Sequence, residues 1–147
     1  MRCCISVGRS ATAALFLIAS VLSSPGLARA QTADAGKVLY DKHCQVCHGV
    51  TGNGKGPLAE TTLQKVADIT GLKRKNNGVF PAGQVRRIID GRQTSEAHGP
   101  RDMPHWGTLY RDEAVAAVGK GQPAKVYQAY IDRTIDALIG HLETLQK

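Results

Sequence analysis

The chain has 147 residues, of which 42% are hydrophobic and 5% aromatic, and its formal net charge is +7 at neutral pH. This length corresponds to a single domain. The longest run of basic residues is 73–75, which gives little support to nucleic-acid binding.

Residues 1–30 have the pattern of a cleavable secretory signal peptide. A positively charged start precedes a largely apolar run of twelve residues at 11–22, a break at 23–26 and small residues before cleavage after Ala30. The run is shorter than the roughly 20 residues that span a bilayer, so an uncleaved membrane anchor is the less favoured alternative. We expect export to the periplasm, no stable membrane insertion, and a mature domain at 31–147 with 16 basic and 12 acidic residues, a net charge of +4.

The mature domain then contains only two cysteines, Cys44 and Cys47, and His48 follows the second of them directly. This spacing is the attachment pattern for c-type haem. One helical turn brings both sulfurs to the vinyl groups on one porphyrin edge, and the histidine then lies under the ring as the proximal iron ligand. We expect one covalent haem c, and a poorly folded apoprotein because so few large apolar side chains are present.

Two other interpretations of the cysteine pair are weaker. A thioredoxin-like dithiol would follow a strand, whereas the lead-in at 38–43 is short and polar. A structural zinc site needs a second pair of ligands. His98 and His105 lie in a Gly/Pro-rich stretch and match a zinc-finger histidine pair poorly.

The first half of the mature chain predicts a helix followed by a loop. Asp34 is a candidate N-cap for a helix that leads through Tyr40 into the cysteine motif. Gly36 lies four residues before Tyr40 and shares its face. The Gly-rich residues 49–57 predict a loop, and a short helix is expected within 58–70.

The second half predicts a turn at 76–78, a brief helix at 84–90 and a Gly/Pro-rich loop at 94–107. A C-terminal amphipathic helix begins near Pro123 or near Asp132. Its apolar stripe has spacings of three and four and consists of Ile131, Ile135, Leu138, Ile139, Leu142 and Leu145. No strand alternation appears, so the domain is predicted to be all-α.

The loop at 94–107 carries the favoured distal iron ligand, Met103. It is the only mature methionine, it lies 55 residues beyond His48, and Pro104 stiffens its loop. A thioether is a soft ligand that favours ferrous iron and raises the reduction potential. The alternatives are water, an empty position, or one of His43, His98, His105 and His141.

These features resemble the class I, monohaem cytochrome c family over about residues 34–147. In chain order the marks are Gly36, Tyr40, Cys44-x-x-Cys47-His48-Gly49, Gly56-Pro57, Met103-Pro104-x-Trp106-Gly107 and residues 138–142. The methionine motif is similar to that of small proteobacterial periplasmic cytochromes. The resemblance implies an all-α class I cytochrome c fold, in which the N- and C-terminal helices cross and short helices and loops wrap around one covalent haem.

The resemblance also implies roles for individual residues, with Cys44 and Cys47 as thioether anchors and His48 and Met103 as iron ligands. It makes the carbonyl of Pro57 the acceptor for the second ring nitrogen of His48. Trp106 would lie near a haem propionate, with simple core packing as the alternative. Gly36 and Tyr40 would form the helix face that crosses the C-terminal helix near Leu138. Two departures are His141, where the family usually has an aromatic ring, and a longer segment at 109–130.

A haem whose two axial positions are both filled by protein is closed to substrates but can still exchange an electron, which favours a carrier over an enzyme. We expect a soluble, monomeric periplasmic electron carrier of a respiratory chain. Its partners would be an unidentified redox donor and acceptor, such as a respiratory complex or a terminal oxidase or reductase. One alternative is a haem c subunit of a larger oxidoreductase complex, docked through 109–130. Another is a ligand-reactive haem protein with a labile Met103.

Seven basic residues are candidates for steering an acidic partner to the haem edge, with an ordinary solvated surface as the equal alternative. They are Lys73, Arg74, Lys75, Arg86, Arg87, Arg92 and Arg101.

Overall fold

A computed structural model of the chain describes residues 25–93 and 103–147. Within those ranges it contains six helices and no strand, which confirms the all-α prediction. The helices are α1 (Pro25–His43), α2 (Gln45–His48), α3 (Leu72–Lys75), α4 (Ala82–Ile89), α5 (Trp106–Val118) and α6 (Ala124–Thr144). Most of the expected signal peptide, together with His98 and Arg101, lies outside the described residues.

The first and last of these helices, α1 and α6, cross at very close range. A Cβ atom at Gly36 would lie 1.9 Å from the carbonyl oxygen of Ala137, so only glycine permits this approach. One turn further along α1, the fully buried Tyr40 ring lies 5.2 Å from the ring of His141, centroid to centroid. The crossing predicted for this glycine and tyrosine is present, and the buried histidine occupies the place expected of an aromatic ring.

The remaining long helices also pack on α6. Val85 and Ile89 of α4 are buried, and the Arg86 guanidinium joins the two helices through ion pairs with Asp132, at 3.3 Å, and Asp136. Among the described residues, a cluster of nine buried hydrophobic side chains forms the core between α1, α4, α5 and α6. They are Tyr40, Val85, Ile89, Tyr110, Ile131, Ile135, Leu138, Ile139 and Leu142.

The long segment at 109–130 forms most of α5, a turn and the start of α6. The Tyr127 hydroxyl closes the turn, because it accepts from the Gln122 N–H at 2.9 Å and donates to the Gly119 carbonyl at 3.0 Å. The C-terminal helix therefore begins near the earlier of its two predicted starts.

Two local predictions were wrong, and one short helix was missed. Asp34 is not an N-cap but lies inside α1, whose alanine-rich first half favours helix. No helix forms within 58–70, where the hydroxyls of Thr61 and Thr62 donate to the carbonyls of Leu58 and Ala59 and stabilise turns instead. The short helix α3 was not predicted.

None of the helices in the described part of the chain combines the length and the apolar character needed to cross a membrane.

Candidate haem-binding site

The two cysteines and the histidine lie on a single helical turn that continues directly from α1. The Cys44 N–H donates to the Tyr40 carbonyl at 2.8 Å. The Cys44 carbonyl then accepts from the N–H groups of Cys47 and His48, at 3.2 and 2.8 Å. The two sulfur-bearing residues are therefore one turn apart, with the imidazole next to the second, as the sequence predicts.

The glycine-rich loop folds back onto this turn, and N–H groups of the loop and of the residue after it donate hydrogen bonds to carbonyls of the turn. Three backbone bonds of 2.9 Å run from Gly54 N–H to His48 O, from Gly56 N–H to Cys47 O and from Leu58 N–H to Val46 O. A Cβ atom at Gly56 would lie 2.4 Å from the Val46 oxygen, so the loop reaches the turn only because glycine stands there. The turn that carries the candidate ligands is thus held rigidly from outside.

The second ring nitrogen of His48 faces a backbone carbonyl, but not the one predicted. Nδ1 lies 3.1 Å from the carbonyl oxygen of Ala67, whereas Pro57 is exposed. The reason is the path of the loop, which brings residues 66–69 back past Gly54, where a Cβ atom would lie 2.6 Å from the Val66 oxygen. The acceptor in this structure is therefore Ala67.

Burial lowers the pKa of His48, and the contact with Ala67 acts in the opposite direction with the smaller effect. The imidazole is therefore neutral at physiological pH. With the proton on Nδ1 and directed at the carbonyl, the lone pair of Nε2 is available to a metal ion.

The two thiols differ in their surroundings. Cys44 packs against the hydrophobic core, and burial, followed by the neighbouring Cys47, raises its pKa to about 12. Both side chains are half-buried and both are free thiols. Two thiols one turn apart are available for thioether formation, and a disulfide across so short a loop would stabilise the fold little.

The predicted distal segment begins at Met103, which is half-buried and packs on the same core as Cys44. The residues that follow are seated on the end of α4. A Cβ atom at Gly107 would lie 2.7 Å from the carbonyl oxygen of Asp90, and one at Gly91 would lie 2.7 Å from Nδ1 of His105. These two contacts hold the residues that follow Met103 in place against the end of α4.

Trp106 belongs to an aromatic cluster that was not foreseen. Its ring lies 5.0 Å from the ring of His43 and is stacked at 6.3 Å on that of Tyr110. The spacing of four between Trp106 and Tyr110 on one helix was the available signal. The pairing with His43, at the end of α1, had no signal in the sequence because it depends on how α1 and α5 pack.

Two polar atoms of this aromatic cluster, His43 Nε2 and the Tyr110 hydroxyl, are buried without a hydrogen-bond partner among the described residues. Burial is the main cause of the lowered pKa of His43 and of the raised pKa of Tyr110. Glu113 comes within 3.7 Å of His43 Nε2 and also binds Lys42 at 2.9 Å. His43 packs against the ring of Trp106, and His141 packs against the ring of Tyr40 at the helix crossing. We therefore favour these two histidines less as alternatives to Met103 for the distal ligand.

The residues present fit an iron porphyrin. Two thiols and a neutral imidazole share one turn, and a thioether packs on the same core, a nitrogen and sulfur set that suits haem iron. Three exposed large apolar side chains, Val46, Val50 and Leu58, lie on the turn or in the segment that folds back onto it, as expected where a bulky apolar group attaches. Within residues 25–93 and 103–147 no cluster of three or more His, Cys, Asp or Glu side chains is placed to hold a bare metal ion.

Comparison with known proteins gives one match. Residues 31–120 match the model of the family described as cytochrome C oxidase, cbb3-type, subunit III. The chain belongs to this family. No curated protein and no solved structure matches the chain.

As a member of the cbb3-type subunit III family, the chain carries a c-type cytochrome domain, and its chemistry is haem-based electron transfer. The matched residues include Cys44, Cys47, His48, Met103 and Trp106, and they end before α6 begins. The family assignment therefore agrees with the all-α fold, while the axial ligands and the class I subtype stay predictions.

Proposed function

We propose that this cytochrome carries one electron at a time through a single haem c, bound covalently by Cys44 and Cys47 with His48 and Met103 as axial ligands. The observation that carries the proposal is the rigid helical turn on which both thiols and the imidazole are presented together. The haem supplies a one-electron change between ferric and ferrous iron.

The protein's own residues orient the ligands and keep other molecules away from the iron. The carbonyl of Ala67 fixes the His48 ring and leaves Nε2 as the coordinating atom. Met103, which packs on the core, would supply the second iron ligand, so that substrates and small ligands would find no open site. Little rearrangement is needed when the electron arrives or leaves, which suits a carrier rather than an enzyme.

The proposed setting is the periplasm, reached through a signal peptide cleaved after Ala30, with the mature protein as a monomeric shuttle. Its partners would be redox proteins of a respiratory chain. If the basic residues 73–75 steer an acidic partner, transfer rates to that partner will fall steeply as salt increases. Rates that do not depend on salt would favour an ordinary solvated surface.

A second candidate is a haem c subunit of a terminal oxidase complex, and the family description is the observation that favours it. The segment 109–130 was the expected docking surface for such a complex. In the structure much of it serves the fold, since Tyr110 and Ala114 are buried and Tyr127 closes the turn before α6. Purification under mild conditions separates the candidates, because a shuttle is recovered alone and a subunit is recovered with the oxidase.

The proposal is tested by optical spectra of the reduced and oxidised protein, taken after extraction with acidified acetone. Pigment that stays with the polypeptide shows thioether attachment, and a weak long-wavelength sulfur-to-iron band in the oxidised form identifies the methionine. A colourless folded product from cells able to mature haem proteins would contradict the proposal. Rapid cyanide binding by the unmodified protein would instead favour a ligand-reactive haem with a labile Met103.

A further inference from the structure

The backbone that carries the Ala67 carbonyl is shaped by a side chain outside the site described above. Asp68 Oδ1 accepts two hydrogen bonds from Thr70, one from its backbone N–H at 2.9 Å and one from its hydroxyl at 2.7 Å. Both bonds lower the pKa of the Asp68 carboxyl, so the acceptor is charged at neutral pH. The resulting turn fixes the chain direction immediately after Ala67.

The other end of this turn is firmly anchored. Thr70 is only 3% exposed, and its carbonyl accepts from the backbone N–H of Lys147 at 2.9 Å. Ile69 between them donates its N–H to the Gly52 carbonyl, also at 2.9 Å. The exposed carboxylate of Asp68 is therefore hydrogen-bonded to the buried Thr70, and Ala67 is the residue immediately before Asp68.

We propose that Asp68 is a positioning residue, which aims the Ala67 carbonyl at Nδ1 of His48 and thereby lowers the reduction potential of the bound iron. This inference rests on the proposed function, because it needs His48 to be an iron ligand. A well-aimed carbonyl strengthens the polarisation of the Nδ1–H bond and makes Nε2 a stronger donor. A stronger donor stabilises ferric over ferrous iron.

The experiment compares two variants of the holoprotein that separate orientation from charge. Asp68→Asn removes the charge but keeps a side-chain oxygen that accepts both bonds from Thr70. Asp68→Ala removes the charge and the turn. Because Asp68 is exposed, its charge acts on the iron mainly through solvent and is screened at high salt, whereas the orientation of a carbonyl is not.

Spectroelectrochemistry at high salt gives the first readout. At a fixed applied potential we expect Asp68→Ala to shift the ferric-to-ferrous ratio several-fold towards ferrous iron, with Asp68→Asn close to the unmodified protein. The second readout is the solvent exchange of the His48 Nδ1 proton by NMR, which should be faster in Asp68→Ala than in Asp68→Asn or the unmodified protein. A Thr70→Val variant, which keeps the backbone bond and loses the hydroxyl bond, should lie between the two.

Equal potentials for the alanine and asparagine variants at high salt would overturn the proposal, as would unchanged exchange of the Nδ1 proton in Asp68→Ala. If Asp68→Ala does not retain haem, the Thr70→Val variant decides in its place, and a potential equal to that of the unmodified protein rejects the inference. Failure of the proposed function looks different, since the unmodified protein would then show no covalent haem or no one-electron couple.

Discussion

The hydroxyl of Tyr40 donates a buried hydrogen bond of 2.6 Å to the carbonyl of Gly49, the residue that follows His48. This bond connects a residue before the cysteine motif to the residue directly after it. Burial raises the pKa of Tyr40 to about 12, so the hydroxyl stays a protonated donor throughout the physiological range. One side chain of α1 thus supports both the helix crossing and the turn that carries the candidate ligands.

We expect Tyr40→Phe to lower the free energy of unfolding by about 1 kcal/mol, the usual cost of losing a neutral buried hydrogen bond. The cost stays small because the Gly49 carbonyl keeps a second bond of 3.2 Å from the Gly52 N–H. Chemical denaturation followed by circular dichroism measures it. Tyr130→Phe on α6 is the matched control and should change stability little, because this half-buried tyrosine makes no hydroxyl bond to a described residue.

Gly36→Ala should lower the free energy of unfolding by about 3 kcal/mol or more. The added methyl group meets the Ala137 backbone at a distance that only movement of α1 away from α6 can relieve. Gly140→Ala on α6 is the control, since nothing lies within 4 Å of its Cβ position. It should raise stability by about 0.5–1 kcal/mol through helix propensity. Equal effects of the two substitutions would contradict the close crossing.

Replacing both Cys44 and Cys47 with serine should abolish the stable haem-containing protein. The proposed function makes these two thiols the thioether anchors, and we expect the small core to need the haem to fold. Pigment that remains with the chain after extraction with acidified acetone measures attachment. Cys3→Ser with Cys4→Ser is the matched control, because these cysteines belong to the expected signal peptide and should leave the yield unchanged. Retention of covalent pigment by the Cys44 and Cys47 variant would show the attachment sites wrong.

Met103→Ala should leave the haem attached but open the iron to external ligands. We expect cyanide or imidazole to bind several-fold or more tightly, and the reduction potential to fall because the thioether no longer favours ferrous iron. Optical titration follows both changes. His105→Ala, two residues away in the same segment, is the control that should behave like the unmodified protein. If His105→Ala opens the iron and Met103→Ala does not, the ligand is the histidine.

Stability should fall as the pH is lowered below about 6.5, the ordinary pKa of histidine. Burial lowers the pKa of both His43 and His141 in the folded protein, so the unfolded chain binds more protons than the folded one in this range. Each such histidine costs at most about 1.4 kcal/mol per pH unit, until the pH falls below its folded pKa. Denaturation between pH 5 and 8 measures the slope. His141→Phe should reduce it, and a profile parallel to that of the unmodified protein would exclude this histidine as a source.

The parts of the fold that the sequence predicted are those in which neighbouring residues carry the information. The apolar stripe of α6 and the spacing of Cys44, Cys47 and His48 each fix a local geometry. The approach of Gly36 to α6 was also predictable, because a small residue one turn before a buried tyrosine suits a close helix crossing. These features recur at helical spacing and need no knowledge of the loops.

The features that escaped prediction depend on backbone groups or on distant packing. The acceptor for His48 is the carbonyl of Ala67, 19 residues further along, and a carbonyl leaves no signature in the sequence. The predicted helix within 58–70 is absent, because the N–H of Leu58 is used to hold the cysteine turn and nearby hydroxyls stabilise turns. The contact of His43 with Trp106 arises only when α1 and α5 come together.

The crossing of α1 and α6 joins positions 36–40 to positions 137–141, about a hundred residues away along the chain. Contacts between such distant segments form late in folding, whereas a single helical turn forms early. Since Cys44 packs on the core that this crossing completes, its sulfur is most accessible before α6 docks. We therefore expect the proposed attachment of haem at Cys44 to precede this last folding step, and a variant in which α6 docked faster would be matured less efficiently.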